Sequence, residues 1–252
     1  MAIILSIHSF RGGTGKSNTT ANLAAVMAMQ GKRVGVMDTD IQSPGIHVIF
    51  GLTEDKIKYS LNDYLWNKCD IQDAAYDVTG SLGKKVLGKI FLIPSSIKTG
   101  EITRIMREGY DVNRLNDGLQ NFLDELKLDA LLIDTHPGLN EETLISIALS
   151  NVLIIVLRPD QQDYQGTSVT VEIARRLNVP NLMLVLNKVP SVFNFADLRA
   201  QVEKTYACPV AAVLPHSDEM MTLQSAGIFA CRYPDHPITK AYQEIVARLP
   251  EE

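Results

Sequence analysis

Residues 8–20 of this 252-residue chain read HSFRGGTGKSNTT. Gly12, Gly13 and Gly15 lie close together, with Thr14 between the last two and Lys16, Ser17 and Asn18 directly after. Glycine lacks a Cβ and tolerates positive φ, so three of them let backbone N–H groups turn toward one anion. A lysine at this spacing brings an ammonium to the β and γ phosphates of a nucleotide, and the serine hydroxyl can ligate Mg²⁺. A Gly-Gly-x-Gly-Lys-Ser/Thr string arises by chance in roughly one chain of this length in a thousand. The expected chemistry is triphosphate binding and phosphoryl transfer, with residues 12–18 as the nucleotide-binding set. Phe10 stands where such loops usually have their first glycine, and Arg11 sits at the lip.

Carboxylates recur at the ends of apolar runs. Residues 33–37 lead into Asp38-Thr39-Asp40, and residues 130–133 lead into Asp134 in DALLIDTHPG. At the carboxyl tips of neighbouring strands they face the crevice of the loop, where one can hold Mg²⁺ through water and another can orient the attacking water. NKVP at residues 187–190 also follows a strand, as the N-K-x-D element of GTP-binding proteins does. Pro190 replaces the carboxylate that would pair with guanine, so adenine is favoured. Asn187 and the loop of Pro215 and Asp218 are the candidate base rim.

These residues need a scaffold. Apolar runs at 2–7, 33–37, 89–93, 130–133, 152–157, 182–186 and 210–213 have strand length. Their continuous apolarity predicts burial on both faces. Helix-length segments intervene, among them 17–30 ended by Gly31, and 166–177 with Val169, Ile173 and Leu177 at spacing four. The alternation predicts an α/β fold, a doubly wound and mainly parallel sheet with helices on both faces. Residues 53–120 are less regular, with one strand, and read as decoration on the same unit. One domain over 1–252 is expected.

Composition narrows the function classes. A net charge of −5 argues against wholesale binding to nucleic acid or anionic membrane. Three scattered cysteines, Cys69, Cys208 and Cys231, form no C-x-x-C pair, so no disulfide framework or thiolate metal site is signalled. The apolar start MAIILSIHSF has no basic n-region and predicts a strand rather than a signal peptide. No run approaches the ~20 apolar residues that span a bilayer. A soluble, cytoplasmic protein is expected.

Together, FRGGTGKS, MDTDIQSPG, LLIDTHPG and the NKVP strand resemble the ParA/MinD family of deviant Walker ATPases across nearly the whole chain. The resemblance implies a doubly wound P-loop fold, ATP and ADP as ligands, Mg²⁺, slow hydrolysis and an ATP-sandwich homodimer. It assigns Lys16 and Ser17 to the loop lysine and magnesium hydroxyl, Asp38 and Asp40 to the switch-I carboxylates with Asp40 orienting water, and Asp134 to the Walker B carboxylate. Arg11 falls where the family's signature lysine reaches the partner's nucleotide. An arginine stays charged and presents a planar fork of donors, so it is expected to take over that role in trans. His136 departs from the Pro or Ala common after Asp-Thr and is not counted as catalytic.

Three jobs suit such a switch. The first is positioning or partition of a cargo, with non-specific DNA binding through Lys84-Lys85, Arg175-Arg176 and Lys204. The second is regulation of a protein partner, for which the loop RPDQQDYQG is a candidate surface. The third is Mrp-type iron–sulfur carriage, suggested by DTDIQSPGIHVIFGL and opposed by the lack of a C-x-x-C spacing, Cys208 and Cys231 lying 23 residues apart. The C-terminal stripe Ile238, Tyr242, Ile245 and Leu249 predicts a helix docked on the core, and the acidic PEE end argues against a membrane anchor.

Overall fold

The computed structural model of the chain describes residues 2–83 and 86–250. Lys84, Lys85 and the two terminal glutamates, 251–252, lie outside the described residues. Strands β1 (Ile3–His8), β2 (Arg33–Asp38), β3 (Tyr76–Asp77), β4 (Lys89–Ile93), β5 (Ala130–Asp134), β6 (Val152–Leu157), β7 (Asn181–Val189) and β8 (Val210–Pro215) form one sheet. The order across it is β3-β4-β2-β5-β1-β6-β7-β8, and only the β3–β4 pairing is antiparallel.

The continuous apolar runs follow from this placement. Along β1, Leu5 and Ile7 pack into one layer and Ile4 into the other. The first layer holds α1 (Lys16–Met29), α2 (Ile46–Ile49), α10 (Phe229–Arg232) and α11 (Pro237–Ala247), with α9 (Asp218–Leu223) at its rim. On the opposite face, α3 (Leu61–Leu65), α4 (Thr99–Glu108) and α5 (Val112–Glu125) cover β2, β4 and β5. There too, α6 (Glu141–Ala148), α7 (Gln161–Arg176) and α8 (Phe195–Tyr206) cover β6, β7 and β8.

The doubly wound sheet agrees with the sequence, and the departures are local. Helix α7 begins at Gln161 rather than 166, because the Asp160 carboxylate accepts from the Gln162 and Asp163 N–H groups and caps it. RPDQQDYQG is therefore mostly the capped start of a helix and not a loop. The spacing-four stripe on α7 faces outward, with Val169 at 45% and Leu177 at 37% exposure. Its buried face is built of small residues, Gly166, Thr167, Thr170, Val171 and Ala174, of which Val171 and Ala174 join the apolar layer. A Cβ on Gly166 would lie 2.1 Å from the Phe10 ring, so that glycine seats Phe10 against α7. Residues 53–120 contribute two strands, the second being the two-residue edge strand β3. Helix α11 carries Ile238, Tyr242 and Ile245 fully buried against α1, as the C-terminal stripe requires.

Candidate active site

The phosphate loop joins β1 to α1 at the carboxyl edge of the sheet. Gly13 (φ 77°) and Gly15 (φ 97°) occupy the left-handed region, and a Cβ on Gly15 would lie 2.3 Å from Asn187 Nδ2. Three side chains brace the loop: Asn187 Nδ2 donates to the Thr14 carbonyl (2.7 Å), Lys188 Nζ to the Gly13 carbonyl (2.8 Å) and Thr19 Oγ1 to the Gly15 carbonyl (3.0 Å). Within it, Thr14 Oγ1 and Asn18 Oδ1 are buried with no hydrogen-bond partner. A buried polar atom left unpaired costs about 1–3 kcal/mol, which a polar ligand relieves. The cradle fits a nucleotide.

The carboxylates converge on Lys16 because the register pairs Asp38 with Asp134 across β2 and β5, and Ile7 with Asp134 across β1 and β5. Lys16 Nζ donates to Asp134 Oδ1 at 3.0 Å and lies 3.8 Å from Asp40 Oδ2. Thr20, one turn beyond Lys16 on α1, also donates to Asp134 Oδ1 at 3.3 Å. Burial alone would lower the Lys16 ammonium, but Asp134, Asp40 and Asp38 outweigh it and hold it above its usual range. Burial first, then Asp134 and Asp40, pushes the Asp38 carboxyl well above the usual carboxylate range. Asp38 is also a turn former, accepting from the Asp40 N–H (3.0 Å) and the Gly45 N–H (3.3 Å).

Three carboxylates beside one ammonium make a crevice that favours a further cation. Among the described residues no three His, Cys, Asp or Glu side chains gather into a metal cage. Ser17 lies half-buried at the start of α1, beside Lys16.

Two histidines adjoin the crevice. Continuing the β2–β5 register by two residues brings His136 to Asp40, with Nδ1 2.6 Å from Asp40 Oδ1. His8, at the end of β1, has Nδ1 2.8 Å from Thr135 Oγ1 and a buried, unpartnered Nε2. Burial, then the Lys16 and His136 charges, lowers His8 from its ordinary 6.5 to about 3. Folded His8 therefore stays neutral between these values, while the unfolded chain takes up the proton. Its contribution to stability is complete above the unfolded pKa and is lost as pH falls. His8→Gln should remove one proton from the acid slope, about 1.4 kcal/mol per pH unit. Urea midpoints of the two proteins between about pH 6 and about pH 4 measure the difference, and parallel curves would exclude it.

A cavity of about 220 Å³ continues from the loop, lined by Gly15, Asn18, Asn187, Pro215, Ile238 and Tyr242 among others. Asn187 and Pro215 line this cavity; the Asn187 Nδ2 donates one N–H to the Thr14 carbonyl and its Oδ1 accepts from the Lys188 N–H, leaving a second N–H and a second lone pair. Asp218 does not line this cavity. Its side chain is 99% exposed and borders a more open depression of about 730 Å³. The walls supplied by Ile238 and Tyr242 were invisible to local spacing, because α11 folds back from the far end of the chain.

Residues 2–182 match a family model described as an AAA domain, AAA_31. An uncharacterized ATP-binding protein of Methanocaldococcus jannaschii is 31% identical over 250 residues, covering 99% of this chain and 88% of its own length. The septum site-determining protein MinD of Helicobacter pylori is 26% identical over 99% of this chain and 91% of that protein. The chain is a ParA/MinD-type P-loop ATPase. A crystal structure of the Pyrococcus furiosus cell division ATPase MinD shares the fold, with a TM-score of 0.80 at 22% identity over 98% of each chain. Pyrococcus horikoshii MinD complexed with Mg-ADP gives 0.78 at 20% identity over 98% of this chain and 95% of that one. An iron–sulfur cluster carrier protein of M. jannaschii is also similar, 29% identical over 72% of this chain and 58% of that protein.

In this ParA/MinD-type ATPase, Arg11 lies against the start of α7. Its guanidinium is 3.5 Å from both Asp160 Oδ1 and Asp163 Oδ1, and its side chain is 40% exposed. Asp163 is already held by Arg158, through its backbone N–H (3.0 Å), Nε (3.0 Å) and Nη2 (3.2 Å). The Arg11–Asp160 pair is exposed on both sides and contributes about 0–1 kcal/mol, whereas Asp163 is buried. Arg11 is braced within its own chain, at the outer limit of hydrogen-bond distance.

Proposed function

We propose that the chain is a single cytoplasmic Mg²⁺-dependent ATPase domain that dimerises around ATP and uses hydrolysis to time the positioning or partition of a cargo. The observation that carries this reading is the convergence of Lys16, Asp40 and Asp134 under the glycine loop, next to orphaned Thr14 and Asn18 atoms. Ser17 and, through water, Asp38 and Asp134 would hold Mg²⁺, which would supply charge neutralisation on the β and γ phosphates. With ATP bound, Lys16 turns from Asp134 to the phosphate oxygens, and the N–H groups of residues 12–17 and the α1 N-terminus complete the anion cradle. Asp40 orients the attacking water and accepts its proton as a new P–O bond forms at the γ phosphorus and the bond to the β,γ-bridging oxygen breaks, leaving ADP and inorganic phosphate.

Arg11 spans terminal phosphate oxygens of the partner's nucleotide once it leaves Asp160 and Asp163. Arg11→Ala should keep ATP affinity while lowering hydrolysis and ATP-dependent dimerisation about tenfold, the size of one charge-assisted hydrogen bond. Unchanged hydrolysis and dimerisation would remove Arg11 from the mechanism.

Of the basic residues that could meet DNA, Arg175 Nη2 donates to the Tyr206 and Ala207 carbonyls and Arg176 pairs with Glu172. Val169 and Leu177 are partly exposed beside them, and a protein partner or adaptor is the favoured cargo class. Iron–sulfur carriage is disfavoured, because Cys208 packs in the layer of α7 and α8 while Cys231 packs in the layer of α1 and α11. Burial also pushes the Cys208 thiol up to about 11, away from the thiolate that a cluster needs. Among the described residues no helix is long and apolar enough to cross a membrane. Retention on non-specific DNA with Mg-ATP against Mg-ADP, at two salt concentrations, tests the cargo class. ATP-dependent, salt-sensitive retention would favour partition of DNA; its absence, with a protein captured only with ATP, supports the adaptor reading.

A further inference from the structure

The His136 ring is the group at this site that the reading above leaves without a role. Asp134 and His136 are two residues apart on the extension of β5, as Asp38 and Asp40 are on that of β2. The Thr39 N–H and Oγ1 both donate to the Asp134 carbonyl, at 2.9 and 3.1 Å, and lock the two strand tips together. The Asp40–His136 contact is thus the next rung of the sheet. On the other side, the His136 carbonyl accepts from Thr143 Oγ1 at 3.2 Å, which fixes its backbone to α6.

Asp40 has few other restraints. Oδ1 also accepts from the Ser43 N–H at 3.1 Å, and Oδ2 is 3.8 Å from Lys16. Once Lys16 turns to a triphosphate, that second restraint weakens. An ionised carboxylate only accepts hydrogen bonds, so His136 Nδ1 donates to it. At 2.6 Å this is a short, charge-assisted bond from a ring whose main chain is anchored.

We propose that His136 is a positioning residue for ATP hydrolysis: its Nδ1–H holds Asp40 in the rotamer from which that carboxylate orients the attacking water. The proposal rests on the hydrolytic reading of the site. Water placed about 1 Å off line lowers a rate by roughly 10²-fold, so the restraint acts on turnover and not on nucleotide affinity. The Asn side chain places its Nδ2 near the position of a histidine Nδ1 and can donate to the same oxygen.

The test compares wild type, His136→Ala and His136→Asn for kcat with Mg-ATP, for the Kd of a fluorescent ADP analogue, and for the downfield imidazole N–H proton resonance of the nucleotide-free protein. His136→Ala should lower kcat at least tenfold with the ADP Kd unchanged within about twofold, and His136→Asn should restore most of the rate. The resonance should be present in wild type and lost in both His136→Ala and Asp40→Ala. His136→Ala turning over at the wild-type rate would overturn the proposal. So would loss of ADP affinity in step with kcat, or an Asn variant as slow as the Ala variant. Absence of ATP turnover in wild type itself would instead remove the hydrolytic reading, and this inference with it.

Discussion

Lys16→Ala should abolish measurable ATP hydrolysis, a loss of at least about 10³-fold, and weaken triphosphate binding with it. The ammonium is 6% exposed and lies between Asp134 and Asp40, so alanine removes the phosphate ligand and also leaves buried carboxylates without their counter-ion. Removing one partner of a buried ion pair costs about 3–5 kcal/mol. Asp38 softens this, because its raised pKa lets it take up a proton. The two effects separate in a second variant. Lys16→Met combined with Asp134→Asn should regain much of the stability by neutralising the partner, yet remain inactive. Urea unfolding and a phosphate-release assay on the three proteins measure both effects. Hydrolysis by either variant at near the wild-type rate would contradict the assignment of Lys16.

Asp40→Asn should separate binding from chemistry in the opposite sense. The amide is nearly isosteric and its oxygen can still accept from the Ser43 N–H and from His136. It carries no charge with which to orient water or receive its proton, and loss of such a group lowers rates by about 10²–10⁴-fold. Mg-ATP affinity should hold, or rise, since a negative charge next to the γ phosphate has been removed. The protein should therefore accumulate with ATP bound and be recovered with intact ATP after overnight incubation. Rapid turnover by this variant would move the water-orienting role to another residue.

Much of this site is local in sequence, which is why it was legible there. Gly12 to Ser17 are contiguous, and Asp38, Asp40 and Asp134 stand at the ends of apolar runs that could only be strands buried on both faces. A parallel sheet then brings strand tips to one edge with no further information needed. Three features depended on packing that spacing does not encode. Val169 and Leu177 of the expected α7 stripe are exposed, because the helix instead seats the face of Gly166, Thr170, Val171 and Ala174, with Phe10 against Gly166. Asn187 is turned to the Thr14 carbonyl by the closeness of β7 to the loop, which commits one of its two amide N–H groups. The Asp40–His136 contact needs the β2–β5 register, which the sequence does not state, although the matching two-residue steps make it readable once that register is known. The edge strand β3, two residues long, carries no periodicity to detect.

The central step of the proposed switch is ATP closing two chains around the glycine loop. Sedimentation velocity of the Asp40→Asn protein, in which hydrolysis does not deplete the ligand, tests it directly with saturating Mg-ATP and then with Mg-ADP. Twice the monomer mass with ATP and the monomer mass with ADP is the predicted result. A single, identical mass in both nucleotides would contradict the nucleotide-gated switch.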